Sequence, residues 1–228
     1  MTSGNFTLPP ASSLLGRAID AAGQPLPVDA PMSADAHTSP VRAAHANGEL
    51  YISGIKVIDL FAPMVRGGIT TMTGTTGVGL VVVTSQLIHD LAVRSGGCAV
   101  IASIKEAHMD VEALVADLRS EGVMQHVIVV SGQPGETDAR PIADTALALA
   151  EDLRGSGRET LLVLHEPLLT PATVSQLASR ERGGAALSVL LWQLLPPEQL
   201  AANPLPPAPI ESDGRLVFSR VLGGQNIW

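Results

Sequence analysis

Aromatic residues make up only 3% of this 228-residue chain and charged residues only 16%, so neither large rings nor ion-pair networks can carry the fold. Ala, Val and Leu must build the core, and 46% hydrophobic residues is ample for one sizeable domain. The single cysteine, Cys98, excludes an internal disulfide and a Cys-based zinc site. It sits in the apolar run Cys98–Ala102, where a buried, inert thiol is expected. Lys and Arg nowhere cluster, and the net charge is −8, which argues against nucleic acid or anionic lipid as partners. No apolar run is long enough to span a bilayer, and the polar start Met1 to Leu8 predicts no leader peptide. These absences predict a cytoplasmic protein without direct membrane insertion, with room for a peripheral place on a membrane complex.

What is present begins quietly. Residues 1–14 read as a loose tail, and Ala22-Gly23-Gln24-Pro25 as a turn. Residues 27–48, rich in Pro, Ala, Ser and His, read as an extended connector. From Gly54 onward short apolar runs alternate with helical patterns, the mark of βαβ units and a parallel sheet. Strands are predicted at 68–73, 98–104, 126–131, 160–165, 187–193 and 215–219. Helices are predicted between them: Val83, Leu87, Ile88 and Leu91 share a face, as do Val111, Leu114, Val115 and Leu118, and Ile142, Ala146, Leu149, Ala150 and Leu153. Six prolines in Leu194–Pro209 predict a surface loop. The expected division is a tail, lead-in strand and connector over 1–48, then one α/β domain over 49–228.

The first domain strand runs into Gly74-Thr75-Thr76-Gly77-Val78-Gly79-Leu80-Val81, followed by a helix. Ligands of doubly wound sheets bind at the carboxyl ends of strands. Glycines let backbone N–H groups curl toward an anion, and the helix N-terminus adds partial positive charge. A phosphate loop reads G-x-x-x-x-G-K-[ST]. The glycine frame here keeps that spacing, but Leu80 holds the lysine position and Val81 the hydroxyl position. Leu brings no cation to the phosphates and Val no oxygen to magnesium. Taken alone, the segment reads as readily as a structural turn.

Other segments decide the ancestry. Gly54-Ile55-Lys56-Val57-Ile58-Asp59-Leu60-Phe61-Ala62-Pro63, then Val65-Arg66-Gly67-Gly68, resembles the lead into the phosphate loop of the rotary F-type ATP synthase beta subunit family. Leu15-Gly16-Arg17-Ala18-Ile19-Asp20 with Gly23-Gln24-Pro25 is similar to the family's short upstream strand. Ser95-Gly96-Gly97, Ala139-Arg140-Pro141 and the segment Ser219 to Trp228 also match, in the family's order. The resemblance covers roughly residues 15–228 with a gap. It implies an α/β P-loop NTPase (RecA-like) fold, a mostly parallel sheet flanked by helices. The family's N-terminal barrel, except its last segment, and its C-terminal helical domain have no counterpart here. A helix and loop between Thr170 and Ala185 also look missing.

The resemblance assigns roles by position. Glu106 stands where the family orients the attacking water, and Ala107 replaces a neighbouring arginine. His165 replaces the strand-end aspartate of the magnesium site, and Leu169 another basic residue. Trp228 stands where a ring stacks on adenine. Each has a plainer reading: Glu106 as a helix cap or solvated acid, His165 as a hydrogen-bonded structural residue, Trp228 as a packing residue. The site expected is therefore Gly74, Thr75, Thr76, Gly77, Val78, Gly79, Leu80, Val81 and Trp228 for nucleotide, with Glu106 as a vestigial catalytic acid and no metal ligand.

These losses predict a pseudoenzyme, a beta-like protein acting as a structural or regulatory subunit. No cofactor is required; ATP, ADP or phosphate would be held weakly, through backbone N–H groups. Its expected partner is an alpha-like ATP synthase subunit or a further copy of itself, since nucleotide sites of this family lie between subunits. The alternative is an ATP-binding subunit of a variant proton-translocating rotary ATPase whose partner completes the site. A decayed gene without selected activity is a third reading.

Overall fold

The computed structural model describes residues 8–28, 49–75, 77–104, 111–132, 139–179, 185–202 and 204–218. Nine strands occur in chain order among them: β1 (Ala18–Ile19), β2 (Leu50–Tyr51), β3 (Met64–Val65), β4 (Ile69–Gly74), β5 (Cys98–Ser103), β6 (Val127–Ser131), β7 (Thr160–His165), β8 (Leu187–Leu194) and β9 (Gly214–Val217). The helices are α1 (Lys56–Phe61), α2 (Leu80–Ser95), α3 (Val111–Ser120), α4 (Ala139–Gly155), α5 (Pro171–Ser179) and α6 (Pro197–Leu200). Seven strands form one sheet in the order β1-β6-β5-β7-β8-β4-β9, every pair parallel. β2 and β3 pair as a separate antiparallel hairpin around α1. This is the α/β P-loop NTPase-like architecture the sequence leads one to expect.

A parallel sheet covered on both faces needs strands that are apolar on both sides, which is why β5, β6 and β7 read as unbroken apolar runs. Alternate residues then face opposite ways. Ala99 and Ile101 join one core with Leu87, Ile88 and Leu91 of α2 and Leu114, Val115 and Leu118 of α3. Val100 and Ala102 join the other with Ile142, Ala146, Leu149, Ala150 and Leu153 of α4. The Ala143, Ala146 and Ala150 side chains are fully buried, so small residues do the close packing that a ring-poor sequence requires.

One expectation needs correction. Within the supposed tail 1–14, the described residues 8–14 are packed: Ala11 and Leu14 are buried, and the Ala11 amide donates to Asp152 Oδ2 at 2.8 Å. The segment continues into β1, an edge strand fastened by Gly16 N–H to the Val127 carbonyl and by the Thr145 hydroxyl to the Ala21 carbonyl. Neither partner is near in sequence, so local pattern gave no sign of them. The region 170–185, shorter than the family stretch it resembles, contains α5, with Leu177 buried against α4's side of the sheet. The turn at Ala22–Pro25 forms as expected, with Asp20 Oδ1 accepting from the Ala22 and Gln24 amides.

Candidate functional site

Strand β4 delivers the glycine segment to the carboxyl edge of the sheet. Gly74, its last residue, accepts from the Leu195 amide, and the neighbouring Thr73 carbonyl accepts from the Phe218 amide, so the strand's end is held from both sides. A Cβ on Gly74 would lie 2.7 Å from Val78 Cγ2 and 3.3 Å from Phe218 Cβ, which leaves room for hydrogen only. Gly77 and Gly79 have φ of 75° and 90°, the left-handed region that favours glycine. Gly79 is the N-cap of α2, and its carbonyl accepts from Val83 N–H to start the helix. Among the described residues the space beyond Gly79 is open: a methyl group placed there would have none of them within 4 Å.

Leu80 does not point to that open side. It is 6% exposed and belongs to the core cluster that contains Met72, Leu87 and Trp192. Val78 and Val81 pack against the same cluster. The ground beneath the loop is thus apolar. The Thr75 hydroxyl is buried there without a hydrogen-bond partner among the described residues.

His165 ends β7 and is 3% exposed, in register with Trp192 of β8. The Trp192 indole N–H donates to Thr84 Oγ1 at 3.2 Å, joining β8 to α2 one turn beyond Leu80. Leu169, just after β7, packs on the opposite core. Thr76, Glu106, Ala107 and Trp228 lie outside the described residues. Of the predicted set the structure therefore brings together Gly74, Thr75, Gly77, Val78, Gly79, Leu80 and Val81 on one loop, with His165 two strands away in the sheet.

Sequence reading missed a polar hub at the same edge. Thr73 and Gln193 are register partners, and the Thr73 hydroxyl donates to Gln193 Oε1 at 3.0 Å. The Arg215 guanidinium engages all three of its nitrogens here: Nε to Thr73 Oγ1 at 3.0 Å, Nη2 to Gln193 Oε1 at 2.9 Å and Nη1 to the Pro206 carbonyl at 2.7 Å. Gln193 Nε2 donates to the Pro207 carbonyl at 3.1 Å. Glu166, following His165, faces this hub. Partial burial pushes its carboxyl above the usual carboxylate range, while a hydrogen bond from Gln193 and the charge of Arg215 pull it back. The only sequence hint was Gln193, which interrupts the otherwise apolar run Leu190–Leu195.

Among the described residues no three His, Cys, Asp or Glu side chains gather in a way that could hold a metal ion, and no helix is long and apolar enough to cross a membrane.

Comparison with known proteins gives a consistent family. The model of the ATP synthase alpha/beta family, nucleotide-binding domain, matches residues 54–178. The chain is similar to ATP synthase subunit beta 2 of Cereibacter sphaeroides, 34% identical over 175 residues, covering 72% of this chain and 37% of that protein. It is similar to the proteins of the same name from Burkholderia thailandensis, 35% identical over 72% of this chain and 34% of the relative, and Gluconobacter oxydans, 32% identical over 69% and 34%. The chain thus spans little more than a third of the length of these curated relatives.

Proposed function

This chain belongs to the ATP synthase alpha/beta family, and from that premise we propose that it is a non-catalytic beta-like protein, keeping the nucleotide-binding fold while acting as a structural or regulatory subunit. The observation that carries the reading is Leu80: at the position where a phosphate loop needs a cation, its side chain is 6% exposed and packed into the core. Val81 supplies no oxygen for magnesium, and the imidazole of His165 stands where the family's carboxylate would. This donor set does not fit a magnesium–triphosphate.

Phosphoryl transfer rests on positioning and charge neutralisation rather than covalent work by the protein. Each 1.36 kcal/mol of lost transition-state stabilisation costs about tenfold in rate. Loss of the lysine, the hydroxyl, the carboxylate and the Ala107-position arginine together leaves no useful turnover. The chain then acts through surfaces, beside an alpha-type subunit or another copy of itself, in the cytoplasm and peripheral to a membrane complex.

A second reading is favoured by the loop backbone. Gly77 and Gly79 keep positive φ, and no described residue fills the space beyond Gly79, so a partner could complete an ATP-binding subunit of a variant rotary ATPase. Glu106 is the acid such a site would use, and Trp228 its adenine platform. Calorimetric titration of the purified chain with ATP and ADP, with and without magnesium, separates the two. The first reading expects weak, magnesium-independent binding or none, and no steady-state phosphate release. Turnover near ~1 per second, ordinary for enzymes, that vanished in Glu106→Gln would sink it.

A further inference from the structure

Every residue from Pro204 to Pro209 either is a proline or stands directly before one. A proline ring fixes φ at about −65°, and the residue before a proline is kept out of the helical region. The run is therefore confined to extended, polyproline II backbone, a helix of about three residues per turn with no internal hydrogen bonds. Burial follows that period. Pro204 and Pro207 are exposed, while Leu205, Pro206, Ala208 and Pro209 are half-buried. One edge of the run thus faces outward and the other two lie against the body. The run is also fastened from beneath and on both sides. Arg215 Nη1 donates to the Pro206 carbonyl at 2.7 Å and Gln193 Nε2 to the Pro207 carbonyl at 3.1 Å. Upstream, the Leu195 amide donates to the Gly74 carbonyl; downstream, Ile210 packs on the α4-side core and the Asp213 amide donates to the Ile69 carbonyl. A segment held this way presents its outer edge already ordered, which spares a partner the cost of ordering it.

We propose that Pro204–Pro209 is a docking ridge for a protein domain that reads polyproline II through an aromatic-lined groove with a basic rim. Aromatic grooves take proline-rich segments because that backbone is preformed and loses little entropy on binding. Pro204 and Pro207 stand one turn, about 9 Å, apart along the outer edge, and the partner's rings are spaced to receive them. The basic rim follows from charge. Glu198, Glu211 and Asp213 are exposed around the ridge. Arg215 is the one cation in the sequence from 195 to 218, and its guanidinium is engaged by Thr73, Gln193 and the Pro206 carbonyl. A groove with acidic flanks would meet like charge here, whereas one with basic flanks meets its complement. The inference shares with the proposed function only the idea that the chain works through surfaces; the nucleotide titration can fail without touching it.

NMR titration of isotope-labelled WW domains with the unlabelled full chain tests it. Two domains that read proline alone serve as probes, one chosen for a basic rim beside its aromatic groove and one for an acidic rim. The basic-rimmed domain is expected to bind, with shifts confined to its groove, and the acidic-rimmed domain to bind at least ~10-fold more weakly. Pro204→Ala with Pro207→Ala is expected to weaken binding at least ~10-fold. Its melting temperature should fall by only a few degrees, the cost of a freer unfolded chain, because the pinned carbonyls remain. Glu198→Lys with Glu211→Lys is expected to weaken binding to the basic-rimmed domain and leave the fold intact, since both side chains are exposed. No groove shift with the chain at about 1 mM, the weak end of the affinity scale, overturns the proposal. So does binding unchanged in the double-alanine variant, or tighter binding by the acidic-rimmed domain.

Discussion

Replacing Leu80 with alanine isolates what the side chain contributes beneath the glycine loop. Leu80 is the first residue of α2, 6% exposed and in contact with the core built by Met72, Leu87 and Trp192. Leu→Ala at a buried site costs about 2–5 kcal/mol, with the cavity term deciding where in that range it falls. A first helical turn next to open space can partly collapse, so ~2–3 kcal/mol is expected. For a domain of this size each kcal/mol lowers the melting temperature by about 2–4 °C, giving a drop of roughly 4–12 °C. Leu80→Lys should cost as much, because an ammonium replaces apolar contact, although its stem can reach past Gly79 toward water. The two variants differ when ligand is added. If the loop retains its anion-cradling backbone, Leu80→Lys with Val81→Thr and His165→Asp regains stability with ATP by about 2.7 kcal/mol at one hundred times the dissociation constant, while Leu80→Ala and wild type do not. Melting curves followed by circular dichroism, with and without nucleotide and magnesium, provide the measurement. A Leu80→Ala melting point within about 1 °C of wild type would refute the claim that this side chain is a structural plug. A triple variant that folds normally and gains no ligand stabilisation would show that the cradle itself has closed.

Three further outcomes are expected. Arg215→Ala removes three donated hydrogen bonds and takes the donor from Thr73 Oγ1 and the Pro206 carbonyl, while Gln193 Oε1 keeps the Thr73 hydroxyl; a loss of about 3 kcal/mol is expected, and faster amide exchange over 204–217 should accompany the lowered stability. Glu166 has a folded-state value raised above its ordinary 4.5, so the folded chain holds this proton more tightly than the unfolded one; its contribution favours folding at low pH and fades as pH rises through the raised value. Urea midpoints of Glu166→Gln should therefore show a flatter pH profile above 4.5 than wild type, and an unaltered slope identifies some other group. Burial pushes the Cys98 thiol up to about 11, so a thiol reagent at neutral pH should label it only on global unfolding, and rapid labelling of the native chain would contradict its place in β5.

The sheet was largely legible because its signals are local. Period-four stripes such as Leu114, Val115 and Leu118 gave α3, and continuous apolar runs gave β5, β6 and β7 nearly to the residue. The glycine loop was legible for the same reason, since the positive φ of Gly77 and Gly79 is a demand only glycine meets without strain. What stayed hidden depends on chain segments that meet only after folding. Ala11 is buried because Asp152 and α4 receive it, and nothing in residues 8–14 announces that. The Thr73–Gln193–Arg215 hub joins side chains 120 and 142 residues apart through strand register, which composition does not encode. Leu80 looked like a bare deletion of charge in the sequence. Only its burial shows that the position has been taken over by the core.

The strand order carries a consequence for synthesis. β4, which holds the glycine loop, lies between β8 and β9, the last two strands of the sheet to leave the ribosome. Strands β5, β6 and β7 can pair with one another as they emerge, and β1 waits for β6. β4 alone stays unpaired on both edges until residues 187–217 have followed. For most of translation its Ile69–Gly74 backbone is an open template for any passing strand. A nascent chain halted before β8 would keep every glycine of the loop and still have no loop, because the strand that aims it has nothing on either side.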